Sequence, residues 1–371
     1  MSNFFALIDE LELNKNALTN KKQQTDYKIK YVSEYIKQWA IISSMREEIT
    51  DITFIDCMCN AGIYSDGDLC TATEVLLIFT EVAQKHPDKK YNLYLNDYDT
   101  NKLKVLNTVI EKLKDKAIQN IRIYIDSIDV NDYLKQLNLK TDVFGYGKSV
   151  VLYIDPYDFG TVHIPEVHEI LKNHYCELIF NFFISDYVRN WNNNRARIKV
   201  CLGGTSVETK EELIDYINAQ FKTGHIKHSF SYQFKTVTNV ELYQIMFFTP
   251  SKRGIEVLKD TLWKVFNGEF FHRNKRETLN NQLSLISEED EKQWLLERHS
   301  QEAKDLLMKC NGAILKYTDI EILLIEKSML KEGQILKHVI KPLIAEGKII
   351  KLNEVSSVRN FKDDSYKVGD L

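Results

Sequence analysis

Between residues 52 and 182 the chain repeats one unit four times (a short apolar run, a turn, then an amphipathic stretch) and ends on a fifth run. The runs are Ile52–Asp56, Tyr91–Asp97, Ile121–Asp126, Val150–Asp155 and Glu177–Phe182. They are uniformly apolar rather than alternating, the pattern of parallel strands covered on both faces. The stretches between them (Thr73–Gln84, Asn101–Lys114, Asp129–Leu137 and Pro165–Asn173) carry helical periodicity. Strand–helix repetition of this kind predicts an α/β fold with an open, doubly wound sheet. Ser229–Phe234 and Tyr243–Phe248 read as a later strand pair, and Arg253–Phe266 as a helix closing that domain.

Length allows more than this sheet. A chain of 371 residues suits two domains. Residues 1–45 form an N-terminal helical segment, with Ile29, Val32, Ile36, Trp39 and Ala40 at helical spacing over 27–43. Residues 46–270 hold the sheet, and 271–302 turn polar and charged, as a linker or bridging helix would. In 303–371, helices near Ala303–Lys309, Thr318–Met329 and Glu332–Glu346 precede a two-strand ribbon, Gly347–Leu352 and Ser365–Val368. That order predicts a winged-helix-like domain.

A net charge of -4 argues against a uniformly basic surface but leaves room for a local groove. Met1–Asn20 has no apolar core of signal-peptide length, and no stretch approaches the roughly 18 to 20 uncharged apolar residues of a membrane span. With six scattered cysteines, the expectation is a cytoplasmic protein with reduced thiols. Cys57, Cys59 and Cys70 lack the spacing and partners of a tetrahedral metal site, so no metal is expected.

Four of the runs end in an acid: Asp56, Asp97, Asp126 and Asp155. Ligands of doubly wound sheets bind beyond the carboxyl ends of the strands. Four carboxylates along one such edge suit a polar, cationic or hydroxyl-rich ligand. The alternative is that each caps the helix that follows. After the fifth run, Arg189, Trp191, Arg195 and Arg197 interleave with amides. Those residue types serve stacking and phosphate contact, or simply a solvated loop.

The segment Phe54-Ile-Asp-Cys-Met-Cys-Asn-Ala-Gly62 resembles motif I of the class I methyltransferases, a Rossmann-like fold. Asp56, Cys59 and Gly62 match its amino-methyltransferase form. Asn60 replaces a glycine, which the left-handed tolerance of Asn allows. The resemblance implies S-adenosylmethionine as cofactor. Asp97, with Asp99 nearby, would take its ribose hydroxyls, and Asp126 with Ser127 its adenine amine. Ile154-Asp-Pro-Tyr157 is similar to motif IV, in which Asp155 and Pro156 would hold a target amine and Tyr157 would stack on its base. One proline of that motif is missing here.

The order of elements resembles the three-Cys-motif partner family. Thr25–Lys28 with Tyr35–Trp39, Phe54–Gly67, Ile154–Tyr157 and Leu242–Phe248 with Gly254–Trp263 carry the likeness. It implies a methyltransferase that works beside a cysteine-motif partner protein, but it does not supply the substrate. DNA or RNA is a further expected partner on the strength of Ile154–Tyr157 and the basic stretch after the fifth run. The family's three cysteines belong to the partner, so Cys57, Cys59 and Cys70 inherit no role from it. The alternative function is a non-catalytic nucleic-acid-binding or partner-binding protein on the same scaffold.

Overall fold

The computed structural model describes residues 4–115, 117–158, 160–184, 195–269, 271–273, 287–352 and 364–369. Contacts divide the chain into two compact units, Met1–Ser251 with Phe271–Asn274, and Lys252–Phe270 with Lys275–Leu371.

The first unit is built on an eight-stranded sheet. Its strands are β1 (Asp51–Asp56), β2 (Lys90–Asn96), β3 (Ile121–Asp126), β4 (Lys148–Ile154), β5 (Glu177–Phe182), β6 (His228–Lys235), β7 (Glu241–Thr249) and β8 (His272–Arg273). They lie in the order β3-β2-β1-β4-β5-β7-β6-β8. β1 to β5 pair in parallel, and β7 runs antiparallel to both β5 and β6. This is the Rossmann-like order of the class I methyltransferase fold, with one reversed strand.

Alternate residues of the central strands feed opposite cores, whereas β3, expected to be covered on both faces, lies at the sheet edge and leaves Arg122 and Tyr124 exposed. On one face Ile55, Leu152, Leu178 and Phe180 pack with Leu134 of α5 (Val130–Asn138), Val167 and Ile170 of α6 (Ile164–Asn173), and Leu213 and Ile217 of α7 (Lys210–Phe221). On the other face lie α2 (Gln23–Ser44), α3 (Thr71–Lys85) and α4 (Thr100–Leu113). The chain opens with α1 (Phe5–Glu10), whose Leu7 and Ile8 join Val105 and Val109 of α4 in a smaller cluster. α7 had not been anticipated, although its start is written in the sequence. The Thr209 side chain accepts from the Glu212 amide at 3.1 Å, the Thr-x-x-Glu start of a capped helix.

α2 begins four residues earlier than its periodicity suggests and is integral to the sheet unit. The buried Tyr35 hydroxyl donates to Glu177 Oε2 at 2.5 Å. Ser44 meets Tyr91 (2.8 Å) and Ser43 meets Ser149 (2.9 Å), so the helix lies across β2, β4 and β5.

The second unit contains α8 (Lys252–Phe266), α9 (Glu288–Met308), β9 (Ile314–Lys316), α10 (Tyr317–Lys327), a helical run over 332–345 (α11), β10 (Ile349–Lys351) and β11 (Ser365–Val368). Its antiparallel sheet has the order β10-β11-β9, adding a strand to the expected ribbon. α8 had been expected in the sheet domain. Instead Lys259 Nζ and Trp263 Nε1 donate to the Ser328 and Met329 carbonyls, at 2.6 and 2.7 Å, just past the end of α10. An amphipathic stripe fixes that a helix packs, not against what. Within α11 the turn Leu336–Ile340 widens to π geometry. Pro342, which has no N–H to offer the carbonyl of His338, gives the reason. No helix among the described residues is long and apolar enough to cross a membrane.

Candidate active site

The four strand-end acids share one edge of the sheet but not one row. Asp56 pairs level with Leu95 and Tyr153, while Asp126 is level with Asn96. Asp97 and Asp155 therefore stand two residues beyond Asp56, roughly 7 Å further along their strands. The stagger leaves a recess above β1.

That recess is a cavity of about 300 Å³. Its floor is the turn after β1 (Asp56, Met58, Cys59 and Asn60), and one wall is Asp155–Tyr157 after β4. Lys28, Thr19 and Gln24 close it from the N-terminal segment, and Tyr64, Tyr153, Phe183 and Tyr243 give it aromatic sides. The closing segment is fastened down. Lys21 pairs with Asp26 (2.7 Å), Asp66 (3.2 Å) and Asp68, while Thr19 Oγ1 accepts from Asn60 Nδ2 at 3.0 Å and Gln24 O from the Tyr243 hydroxyl at 3.1 Å.

Asn60 takes φ +60°, as its place in the motif anticipates, and its side chain accepts from the Ala61 amide. Gly62, at φ +78°, serves packing. A Cβ there would fall 2.7 Å from Leu106 Cδ1 and 3.0 Å from Thr73 Cγ2. It does not line the cavity, which departs from its expected place against the cofactor.

Asp97 is turned to structural use as well. It is 4% exposed, and its two oxygens accept the amides of Asn60 (3.0 Å) and Asp99 (2.9 Å), tying the β2 end to the β1 turn. Asp99 caps α4 through the Asn101 amide at 2.9 Å. Asp126 is half-buried at the end of β3 and Ser127 is exposed beside it. None of these four lines the cavity, so of the expected cofactor residues only Asp56, Cys59 and Asn60 do.

Asp56 is 2% exposed and accepts one hydrogen bond, from the Met58 amide at 3.1 Å. Burial pushes its carboxyl up to about 8, and Asp155 and Asp97 add to the shift against the Met58 amide. The thiols of Cys57, Cys59 and Cys70 are held up by burial, so they stay protonated.

Asp155 is the most constrained of the acids. Lys28 Nζ reaches its Oδ2 at 2.5 Å, the Tyr153 hydroxyl reaches the same oxygen at 3.2 Å, and Asn181 Nδ2 holds Oδ1 at 2.5 Å. Tyr157 stands half-exposed at the rim, its hydroxyl 2.6 Å from Lys102 Nζ.

The sequence had not flagged Lys28, Tyr153, Asn181 or Tyr243. Lys28 did leave a signal. It falls three, four and seven residues before Tyr31, Val32 and Tyr35 on the buried stripe of α2, where a lysine is out of place. Asn181 interrupts an apolar central strand in the same way. Tyr153 and Tyr243 are indistinguishable in sequence from core aromatics.

The basic stretch after β5 divides. Arg189 and Trp191 lie outside the described residues. Arg195 pairs with Glu208 at 3.2 Å. Arg197 Nη2 donates to Asp158 Oδ1 at 2.8 Å, and a Cβ on Gly160 would fall 2.8 Å from Arg197 Nε. Arg197 thus braces the loop that carries Tyr157.

No family model matches the chain, and no curated protein matches it. Among solved structures it is similar to a Legionella pneumophila protein of the DUF519 family (12% identity, 64% of this chain and 91% of that one, TM-score 0.37). It is similar to a candidate O-methyltransferase of Klebsiella pneumoniae (9%, 68% and 91%, TM-score 0.36). It also matches the 16S rRNA (adenine(1408)-N(1))-methyltransferase of Catenulisporales acidiphilia (9%, 59% and 93%, TM-score 0.29). The fold assignment rests on the strand order itself.

Proposed function

We propose that the chain is an S-adenosylmethionine-dependent methyltransferase acting on an amine of a nucleic acid or nucleotide. The observation that carries this reading is Asp56, a buried carboxyl with a single amide partner among the described residues, lining a cavity at the carboxyl edge of a class I methyltransferase sheet. A buried acid so placed calls for a cationic hydrogen-bond donor. The ligand expected from the motif I resemblance supplies an ammonium group and a sulfonium charge. Asp56 and the Met58–Asn60 turn would hold it, with Asp126 free to meet its adenine amine.

When bound, S-adenosylmethionine offers an electrophilic methyl group. The chain's own part is placement. Asn181, Tyr153 and Lys28 fix both oxygens of Asp155, leaving one acceptor direction to orient an amine. Tyr157 at the rim offers a ring face, and the fastened segment Thr19–Gln24 covers one side of the cavity.

The preoccupied Asp155 favours a second reading, a non-catalytic binding protein on this scaffold. The second unit, read as winged-helix-like, would then touch nucleic acid or a cysteine-motif partner protein. That partner comes from the family resemblance alone.

Titration calorimetry with S-adenosylmethionine and S-adenosylhomocysteine separates the two. Micromolar binding of both supports the enzyme. Absence of binding at high protein concentration overturns it, and salt-sensitive nucleic-acid binding by the same sample then supports the second reading.

A further inference from the structure

Lys28 does more than a structural ion pair requires. It is 8% exposed on the inward stripe of α2, and a lysine buried there costs stability unless its charge and its donors are used. An ammonium carries three N–H groups. One reaches Asp155 Oδ2, and the other two have no acceptor among the described residues, although Lys28 lines the cavity. Next to it Asp155 keeps one acceptor direction open after Lys28, Tyr153 and Asn181 have taken theirs. The cavity wall therefore presents a fixed donor immediately beside a fixed acceptor.

Resting on the methyltransferase reading above, we infer that Lys28 and Asp155 together select an acceptor whose edge places a ring nitrogen beside an exocyclic amine. Cytosine and adenine carry that edge. The Lys28 ammonium donates to the ring nitrogen while Asp155 accepts from the amine. Uracil and hypoxanthine put a carbonyl and a ring N–H in those places, which sets N–H against N–H at Lys28 and oxygen against oxygen at Asp155. A site built to pair with such groups rejects the analogue that leaves them unpaired far better than an apolar pocket does.

The walls agree with a planar ring. Tyr64, Phe183 and Tyr243 line the cavity and Tyr157 is half-exposed at its mouth. Aromatic faces stack on bases irrespective of sequence, so the Lys28–Asp155 pair is left to discriminate. A base reaches such a recess from a single strand or when turned out of a duplex. Lys28 acts here as a specificity-determining residue, and its distance of 127 positions from Asp155 hides the pair from any local motif.

The test uses the full chain and four single-stranded pentamers, two thymines on either side of a central cytosine, adenine, uracil or hypoxanthine. Each is titrated with and without S-adenosylhomocysteine. Wild-type protein is expected to bind the cytosine and adenine strands at least about tenfold more tightly than their carbonyl counterparts. Lys28→Met should erase that ratio while changing S-adenosylhomocysteine affinity less than about threefold, and Lys28→Arg should restore part of it.

Equal binding of all four strands by wild type, or binding of none, overturns the inference while cofactor binding leaves the methyltransferase reading standing. Loss of S-adenosylhomocysteine binding in wild type is the separate failure of that reading. Should Lys28→Met fail to fold, the wild-type ratio still decides.

Discussion

Each unit sets a lysine against acid, half-buried Lys252 in the second and buried Lys28 in the first, and the two clusters differ in what they leave unused. In the second unit Lys252 meets three acids, Glu321, Glu332 (3.3 Å) and Glu256 (3.4 Å), one for each N–H. Glu321 is 1% exposed, and burial raises its carboxyl against the pull of Lys252. In the first unit Lys28 meets one acid, lines a cavity, and keeps two N–H groups without a partner among the described residues. A buried charge by itself marks neither structure nor function. A charge with unused bonding capacity beside empty space marks a site.

The contrast is broken or sharpened by substitution, and the largest effect belongs to Asp155. Asp155→Ala is expected to cut methyl transfer by about a thousandfold, as loss of a positioned polar group does. Affinity for S-adenosylhomocysteine should stay within about threefold. Loss of cofactor affinity instead would move Asp155 from the acceptor to the cofactor.

Stability should separate the two lysines. Lys252→Met strands Glu321 in the interior, and breaking a buried pair in this way costs about 3 to 5 kcal/mol. Lys28→Met leaves Asp155 with Asn181, Tyr153 and access to the cavity, so its cost by chemical denaturation should fall below about 1.5 kcal/mol. Equal costs would mean that Lys28 is structural, like Lys252.

Asp56 supplies the pH dependence. Its folded-state pKa of about 8 lies above the unfolded value near 3.9. Between those limits the folded state keeps a proton that the unfolded state has lost. The contribution of this group to stability is therefore complete below about pH 4 and falls as pH rises toward 8. Asp56→Asn should flatten that fall in a series of melts. A cationic ligand favours the ionised form, so its affinity should rise by up to about tenfold per pH unit below 8 and level off above it. An affinity that is flat from pH 6 to 9 would remove Asp56 from the site.

The smallest effect is expected at Arg195, whose exposed pairing with Glu208 is of a kind worth under about 1 kcal/mol. Arg195→Ala should leave the melting temperature almost unmoved. A clear loss of single-strand binding in that variant would return the arginine to the nucleic-acid role its sequence context suggested.

The sequence alone determined the parallel half of the first unit's sheet. Short apolar runs rich in β-branched residues, such as Val150–Ile154, suit strands buried on both faces, and the helices between them favour parallel order. Within the β1 turn it also determined the left-handed Asn60, because few other side chains accept that backbone. It could not determine which strand-end acids face the ligand. Asp56, Asp97, Asp126 and Asp155 look alike in one dimension. Tertiary structure alone ties Asp97 to two backbone amides and encloses Asp56. It alone draws Lys28 and Asn181 to Asp155. The physical reason is range. Hydrophobic periodicity and turn chemistry act over a few residues, whereas a buried charge is matched by whatever the fold carries to within hydrogen-bonding distance.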